Sequence, residues 1–205
     1  MSKLISNQSN LIIIGAWNPA IIQPAWLKKE FPTQIPDNFR IQVVTGVISS
    51  FIIEFDDFII DPNGGRLVFT PKKFDEKTLS NISKLSNGIQ ELLRHTPIAA
   101  AGCNFVFSLD ANEFFSIEKI ETDEQIKSLY SSLSECALVA KSIGHVFSAE
   151  DHKISVNYDF QGITRFLRIN YEYQQPLNPM KKAADSFLKN FNHAQELCKE
   201  LLRSK

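Results

Sequence analysis

The order of elements read along this chain occurs twice. An apolar strand candidate, Leu11 to Trp17, leads into a short helix signal, a run of strands and a long amphipathic helix. From Ile98 to Phe107 the same succession starts again and closes on a second long helix, offset by roughly 95–105 residues. A repeat of so long a period implies a pseudo-symmetric pair and not an extended solenoid. The expected organisation is a first unit at residues 1–97 and a second at 98–205, together one compact domain of 205 residues.

In the first unit, Leu11-Ile12-Ile13-Ile14 reads as a strand buried on both faces, broken by Gly15 and Asn18-Pro19. The segment Gln23 to Phe31 reads as a short helix with Pro24 in its first turn, where a missing N–H costs little. Ile41–Ile48, Ser50–Phe55, Phe58-Ile59-Ile60 and Leu67-Val68-Phe69 are strand candidates. Pro62-Asn63-Gly64-Gly65 is a hairpin signal because Asn and Gly accept positive φ at little steric cost. From Asp75 to His95, Leu79, Ile82, Leu85, Ile89, Leu92 and Leu93 recur every three or four residues, which puts them on one helix face. Asp75 or Thr78 caps its start and Pro97 marks its end.

The second unit opens with the strand Ile98–Leu109 and continues with a short helix at Asp123–Leu133. Cys136–Phe147 reads as mainly strand. Lys153 to Asp159 alternates polar and apolar residues, the pattern of a half-buried strand. After a turn at Gln161-Gly162, Leu167, Ile169, Tyr171 and Tyr173 share one face of the next strand. A single closing helix carries the stripe Ala183, Ala184, Phe187, Phe191, Ala194, Leu197, Cys198, Leu201 and Leu202. The fold class is therefore α+β: internally duplicated β-α-β(3-4)-α units forming one antiparallel sheet, with two long helices on one face. This order resembles the duplicated β-α-β-β-β-β-α saddle of the TATA-box-binding protein over roughly residues 10 to 203. The resemblance implies a fold and carries no residue-level motif.

With helices on one side only, the other face of the sheet is available for binding. Lys153, Ser155 and Asn157 on one strand, and Thr164, Arg168 and Asn170 on its hairpin partner, are the candidate binding residues. The net charge of −1 does not favour nucleic acid, whose binders carry a basic domain or stripe. It also removes one obstacle to association with other proteins or with a second copy.

Other features point to ordinary structure. Cys103, Cys136 and Cys198 lack metal or redox spacing and read as core residues. Asp56-Asp57 near Asp61, and Glu150-Asp151-His152, read as solvated turns. His95 suits a helix C-terminus, and His193 lies beside the last helix's apolar stripe. His145 and His152 flank a turn and could meet, yet no third metal ligand is in view. No phosphate-binding glycine motif occurs, and Lys28-Lys29, Lys72-Lys73 and Lys181-Lys182 are scattered doublets near acidic residues. No cofactor, metal ligand or catalytic residue is assigned.

The expected function is that of a non-enzymatic binding or assembly protein acting through its open sheet face or a sheet edge. Its partner would be another protein or a second copy. A nucleic-acid-binding module using the same face is the alternative. An enzyme with a dispersed site around His145, Asp151 and His152 is the third. The run LIIIGAW is too short to span a membrane, and the expected location is the cytoplasm.

Overall fold

The apolar run that opens the chain becomes the centre of a sheet. The computed structural model describes residues 2–44, 50–109, 140–161, 164–176 and 178–203. Its strands are β1 (Lys3–Leu4), β2 (Asn10–Gly15), β3 (Arg40–Val44), β4 (Ser50–Glu54), β5 (Phe58–Asn63), β6 (Arg66–Pro71), β7 (Ile98–Leu109), β8 (Ala140–Ser148), β9 (Lys153–Gln161) and β10 (Thr164–Gln174). Four helices accompany them: α1 (Pro24–Glu30), α2 (Glu76–Leu92), α3 (Pro179–Asp185) and α4 (Phe187–Arg203). The protein is α+β, with one antiparallel ten-stranded sheet ordered β3-β4-β5-β6-β2-β7-β10-β9-β8 and β1 paired to β7.

Period-two patterning decides which way each strand faces. Leu11 and Ile13 of β2, Leu67 and Phe69 of β6, Cys103, Phe105 and Phe107 of β7, and Leu167, Ile169, Tyr171 and Tyr173 of β10 are all buried on one side. There they meet Leu79, Ile82, Leu85 and Ile89 of α2, and Ala183, Phe187 and Phe191 of the C-terminal helices. Phe105 sits at the middle of this layer, its ring 5.9 Å from Phe187, 5.7 Å from Phe191 and 6.0 Å from Tyr171. Tyr173 is buried too, but Asn190 Nδ2 donates to its hydroxyl at 2.9 Å, so its polar atom stays paired.

Helix boundaries follow from caps. Asp75 starts α2, its carboxylate accepting from the Thr78 N–H at 2.7 Å. That bond holds the Asp75 carboxyl below its ordinary pKa. Pro24 occupies the first turn of α1, and Pro179 that of α3. Gly88 lies inside α2 because α1 approaches closely there: a Cβ would stand 2.5 Å from the Phe31 ring.

Several expectations change. β2 is not buried on both faces, because Ile14 is 40% exposed on the side opposite the helices. The hairpin after β5 is tighter than its turn signal implies. Pro62 and Asn63 remain in register with Leu67 and Arg66, which leaves Gly64-Gly65 as the loop, and neither glycine takes a left-handed φ. The closing helix is two, broken at Ser186, whose N–H reaches Lys182 O and Ala184 O. An apolar stripe continues across such a break, so periodicity alone does not register it. Helix α2 ends at Leu92, three residues before His95. The expected helix at Asp123–Leu133, Cys136, residues 45–48 of the expected Ile41–Ile48 strand and Gly162 of the expected turn lie outside the described residues.

Gly15 shows where glycine is required for space. A Cβ on it would stand 2.6 Å from the carbonyl oxygen of Pro97, a backbone atom that β7 fixes, while one on Gly64 would meet nothing nearer than 4.0 Å. Gly15→Ala should therefore cost about 1–3 kcal/mol, and Gly64→Ala less than about 0.5 kcal/mol. Urea denaturation of the two variants checks this. Equal stability losses would contradict the steric account.

Candidate binding surface

The face opposite the helices carries the alternate residues of the same strands. On the β9·β10 hairpin, Asn157 stands across from Arg168, Ser155 from Asn170, and Lys153 from Glu172, with Thr164 at the turn opposite Gln161. The six candidate residues thus share one face. Their alternating partners Val156, Tyr158, Leu167 and Ile169 are buried on the other.

Three of these side chains, Arg168, Asn157 and Asn170, are engaged with neighbouring residues of the sheet. Arg168 Nε donates to Asp159 Oδ2 at 2.7 Å, its Nη1 reaches Gln8 Oε1 at 3.4 Å, and its guanidinium lies 5.6 Å from the Phe166 ring centre. Asp159 also accepts from Ser142 Oγ at 2.7 Å, which ties β8, β9 and β10 across the face. The Asn157 side chain lies over Gly144, where a Cβ would come within 2.3 Å of its Oδ1. Asn170 similarly covers Gly102, at 3.2 Å from where a Cβ would stand. At the centre of the sheet, Asn104 Nδ2 donates to Asn10 Oδ1 at 2.8 Å. The surface is built from amides, hydroxyls and compensated charges.

The face extends past the second unit. A trough of about 360 Å³ runs over β4, β5, β6, β2 and β7. Its floor is apolar, formed by Ile12, Ile52, Ile59 and Val68, and its rim is polar, with Asn7, Asn10, Gln42 and Asn104. Charged side chains line it as well: Arg66 pairs with Asp61 at 3.6 Å, and Glu54 is held by Lys72 at 2.7 Å, which lowers the Glu54 pKa. Sequence reasoning missed this half of the face. The signal was present: Ile12, Ile59 and Val68 alternate with core residues, but an all-apolar strand hides which alternate residue faces out.

The rim depends on a bulge. Between β1 and β2 the chain makes one 3-10 turn at Ser6–Gln8, which carries Asn7 and Gln8 over the open face. This interrupts pairing with β7. Ser9, fully buried, replaces the missing strand contact: its Oγ accepts from the Val106 N–H at 3.0 Å and donates to Ile5 O at 2.9 Å.

The catalytic alternative finds little chemistry. The His145 ring rests beside Phe147, whereas His152 Nδ1 lies 2.6 Å from Asp151 Oδ1 and its ring stacks on Tyr173 at 5.2 Å. His152, and then Lys182 on the other oxygen, hold the Asp151 carboxyl below its ordinary pKa. His193 Nδ1 bonds the Tyr171 hydroxyl at 2.7 Å. Among the described residues no three His, Cys, Asp or Glu side chains gather where a metal could bind. Burial pushes the Cys103 thiol up to about 12, so it carries no thiolate at neutral pH. Asp57 and Asp61 turn to separate cations, Lys73 and Arg66.

No protein-family model matches the chain, and no curated protein is similar to it. Among the described residues no helix is long and apolar enough to cross a membrane.

Ser9→Ala should leave the buried Val106 N–H without a partner, a loss of about 1–3 kcal/mol. Thermal unfolding checks it. An unchanged melting temperature would show that the bulge does not depend on this hydroxyl.

Proposed function

We propose that the protein is a non-enzymatic binding protein whose partner, another protein, docks on the open sheet face. One observation carries this reading: the helices cover one face of a ten-stranded sheet, and the other offers a trough where apolar side chains lie among amides and charged groups. Such a surface supplies both halves of protein recognition, an apolar floor to desolvate and polar groups to fix register. Several of its cations are paired with carboxylates, Arg168 with Asp159, Arg66 with Asp61 and Lys72 with Glu54, and Lys153 stands in register with Glu172. This pattern favours a mixed, near-neutral protein surface over a phosphate backbone, which would draw on free Lys and Arg.

The nucleic-acid reading keeps one support. The strands expected to open each unit, now β2 and β7, pair at the centre of the sheet, and the last strand of each, β6 and β10, flanks them. That order suits a duplicated saddle of the TATA-box-binding kind, and with it the internal duplication. It speaks for fold more than for ligand.

The test is affinity capture from the native host at low salt, with wild type beside an Arg168→Ala/Asn170→Ala variant. Surface substitutions of this kind shift stability by less than about 1 kcal/mol, so binding is read without unfolding. The expected outcome is a stoichiometric protein partner held by the wild type and lost by the variant. Co-purified nucleic acid whose retention falls steeply with salt would replace the protein reading with the alternative. Equal retention of the partner by both forms would refute the face.

A further inference from the structure

Among the described residues, β3 and β8 end the sheet order and pair on one side only. Natural sheets guard such edges with charged residues, prolines or bulges, because an unpaired row of N–H and C=O groups templates another strand. β3 is five residues long and opens with Arg40, opposite Glu54. β8 is nine residues long, and Ser142–Ser148 contains no Lys, Arg, Asp, Glu or Pro. Its register with β9 runs unbroken from Ala140 to Ser148, so no bulge bends it away. On this strand Val146 is 69% exposed and Phe147 56% exposed, on opposite faces of the sheet.

The hydrogen-bond phase of the edge follows from its hairpin. The Ala149 N–H donates to His152 O, and bonded pairs then alternate along antiparallel strands. Ile143, His145 and Phe147 accordingly bond to β9. Ser142, Gly144, Val146 and Ser148 turn their backbone N–H and C=O groups outward.

We propose that β8 is a self-association edge, on which two copies pair antiparallel about a two-fold axis at His145. In that register Ile143 faces the partner's Phe147, Gly144 faces the partner's Val146, and Ser142 faces the partner's Ser148. Each contact occurs twice, as an isologous interface requires. The outward-turned residues meet one another, so every inter-copy hydrogen bond finds its mate. Centring the axis on Gly144 instead would oppose Phe147 to Lys141 and Val146 to Ser142, which breaks the apolar matches. This self-complementarity selects a second copy as the occupant, and the net charge of −1 sets up little repulsion between copies. The interface is distinct from the open-face site, so Arg168→Ala/Asn170→Ala leaves it intact and the two readings fail separately.

The test is a cysteine scan of the full chain in a Cys136→Ser background, with buried Cys103 and Cys198 retained. His145 lies on the axis as a non-hydrogen-bonded pair, whose Cα atoms stand about 4.5 Å apart, inside the range a disulfide spans, about 4.4–6.8 Å. His145→Cys should form a covalent dimer under mild oxidation, and Val146→Cys, opposite Gly144, should not. Sedimentation at tens of micromolar should show the wild type as a dimer, and Val146→Lys/Phe147→Lys as a monomer with unchanged circular dichroism. A monomeric wild type overturns the proposal. So does a dimer that persists in the Lys variant, or one that His145→Cys fails to cross-link.

Discussion

The antiparallel pairing of β2 with β7 is the contact on which the rest of the structure depends. It runs from Asn10 opposite Asn104 to Gly15 opposite Ile98, and it joins strands that begin the two halves of the chain. Without it the strands β3 to β6 and the strands β8 to β10 would be separate sheets, each with a bare apolar edge. The joint needs backbone proximity more than side-chain mass. Gly15 admits the Pro97 carbonyl, and Ala100, Ala101 and Gly102 keep β7 slim where β2 passes. Cross-strand ladders over so many residues bring non-local segments together, and those segments then share one core centred on Phe105.

The same joint explains why the sheet is covered on one face only. α2 precedes β7, and α3 and α4 follow β10; all of them return over the buried side, where α2 and α3 pack together. Asn87 Nδ2 donates to Asp185 Oδ1 at 2.7 Å and Gln90 Nε2 to Asn178 Oδ1 at 2.7 Å, which stitches the helices of the two halves to each other. A helical layer on one side leaves the opposite side as a mixed surface, in which apolar side chains such as Ile12 and Ile59 lie among polar ones. At its centre is the Asn10–Asn104 amide pair, with Arg168 paired to Asp159 and Arg66 to Asp61 on either side. Under the proposed binding role, such a surface would read shape and hydrogen-bonding pattern in preference to net charge.

Much of this was legible in the sequence where one physical signal dominated. β9 and β10 alternate so strictly that all six candidate residues, Lys153, Ser155, Asn157, Thr164, Arg168 and Asn170, were placed on the face they occupy. α2 was legible from its stripe and its Asp75 cap. β2 was harder, because four consecutive Leu and Ile residues give no alternation, and the exposure of Ile14 is set by the absence of a helix above it. The trough was missed for the same reason. Its floor is apolar, and composition reads apolar residues as core. The Ser6–Gln8 bulge and the role of Ser9 depend on a hydrogen bond to Val106, 97 positions away, which no local pattern encodes. The engagement of Arg168 by Asp159 depends on strand register, and in the sequence Asp159 is one more polar position of an alternating strand.

The central claim is that β2·β7 makes one cooperative sheet from two halves. Native-state hydrogen exchange tests it most directly, since it resolves which amides open together. The amides of Leu11–Ile14 and of Gly102–Phe105 should exchange only through global unfolding, with the same free energy as Val68 in one half and Ile169 in the other. Exchange at the β2·β7 joint with a clearly lower free energy than at Val68 and Ile169 would mean that the halves part before they unfold, and would contradict the account.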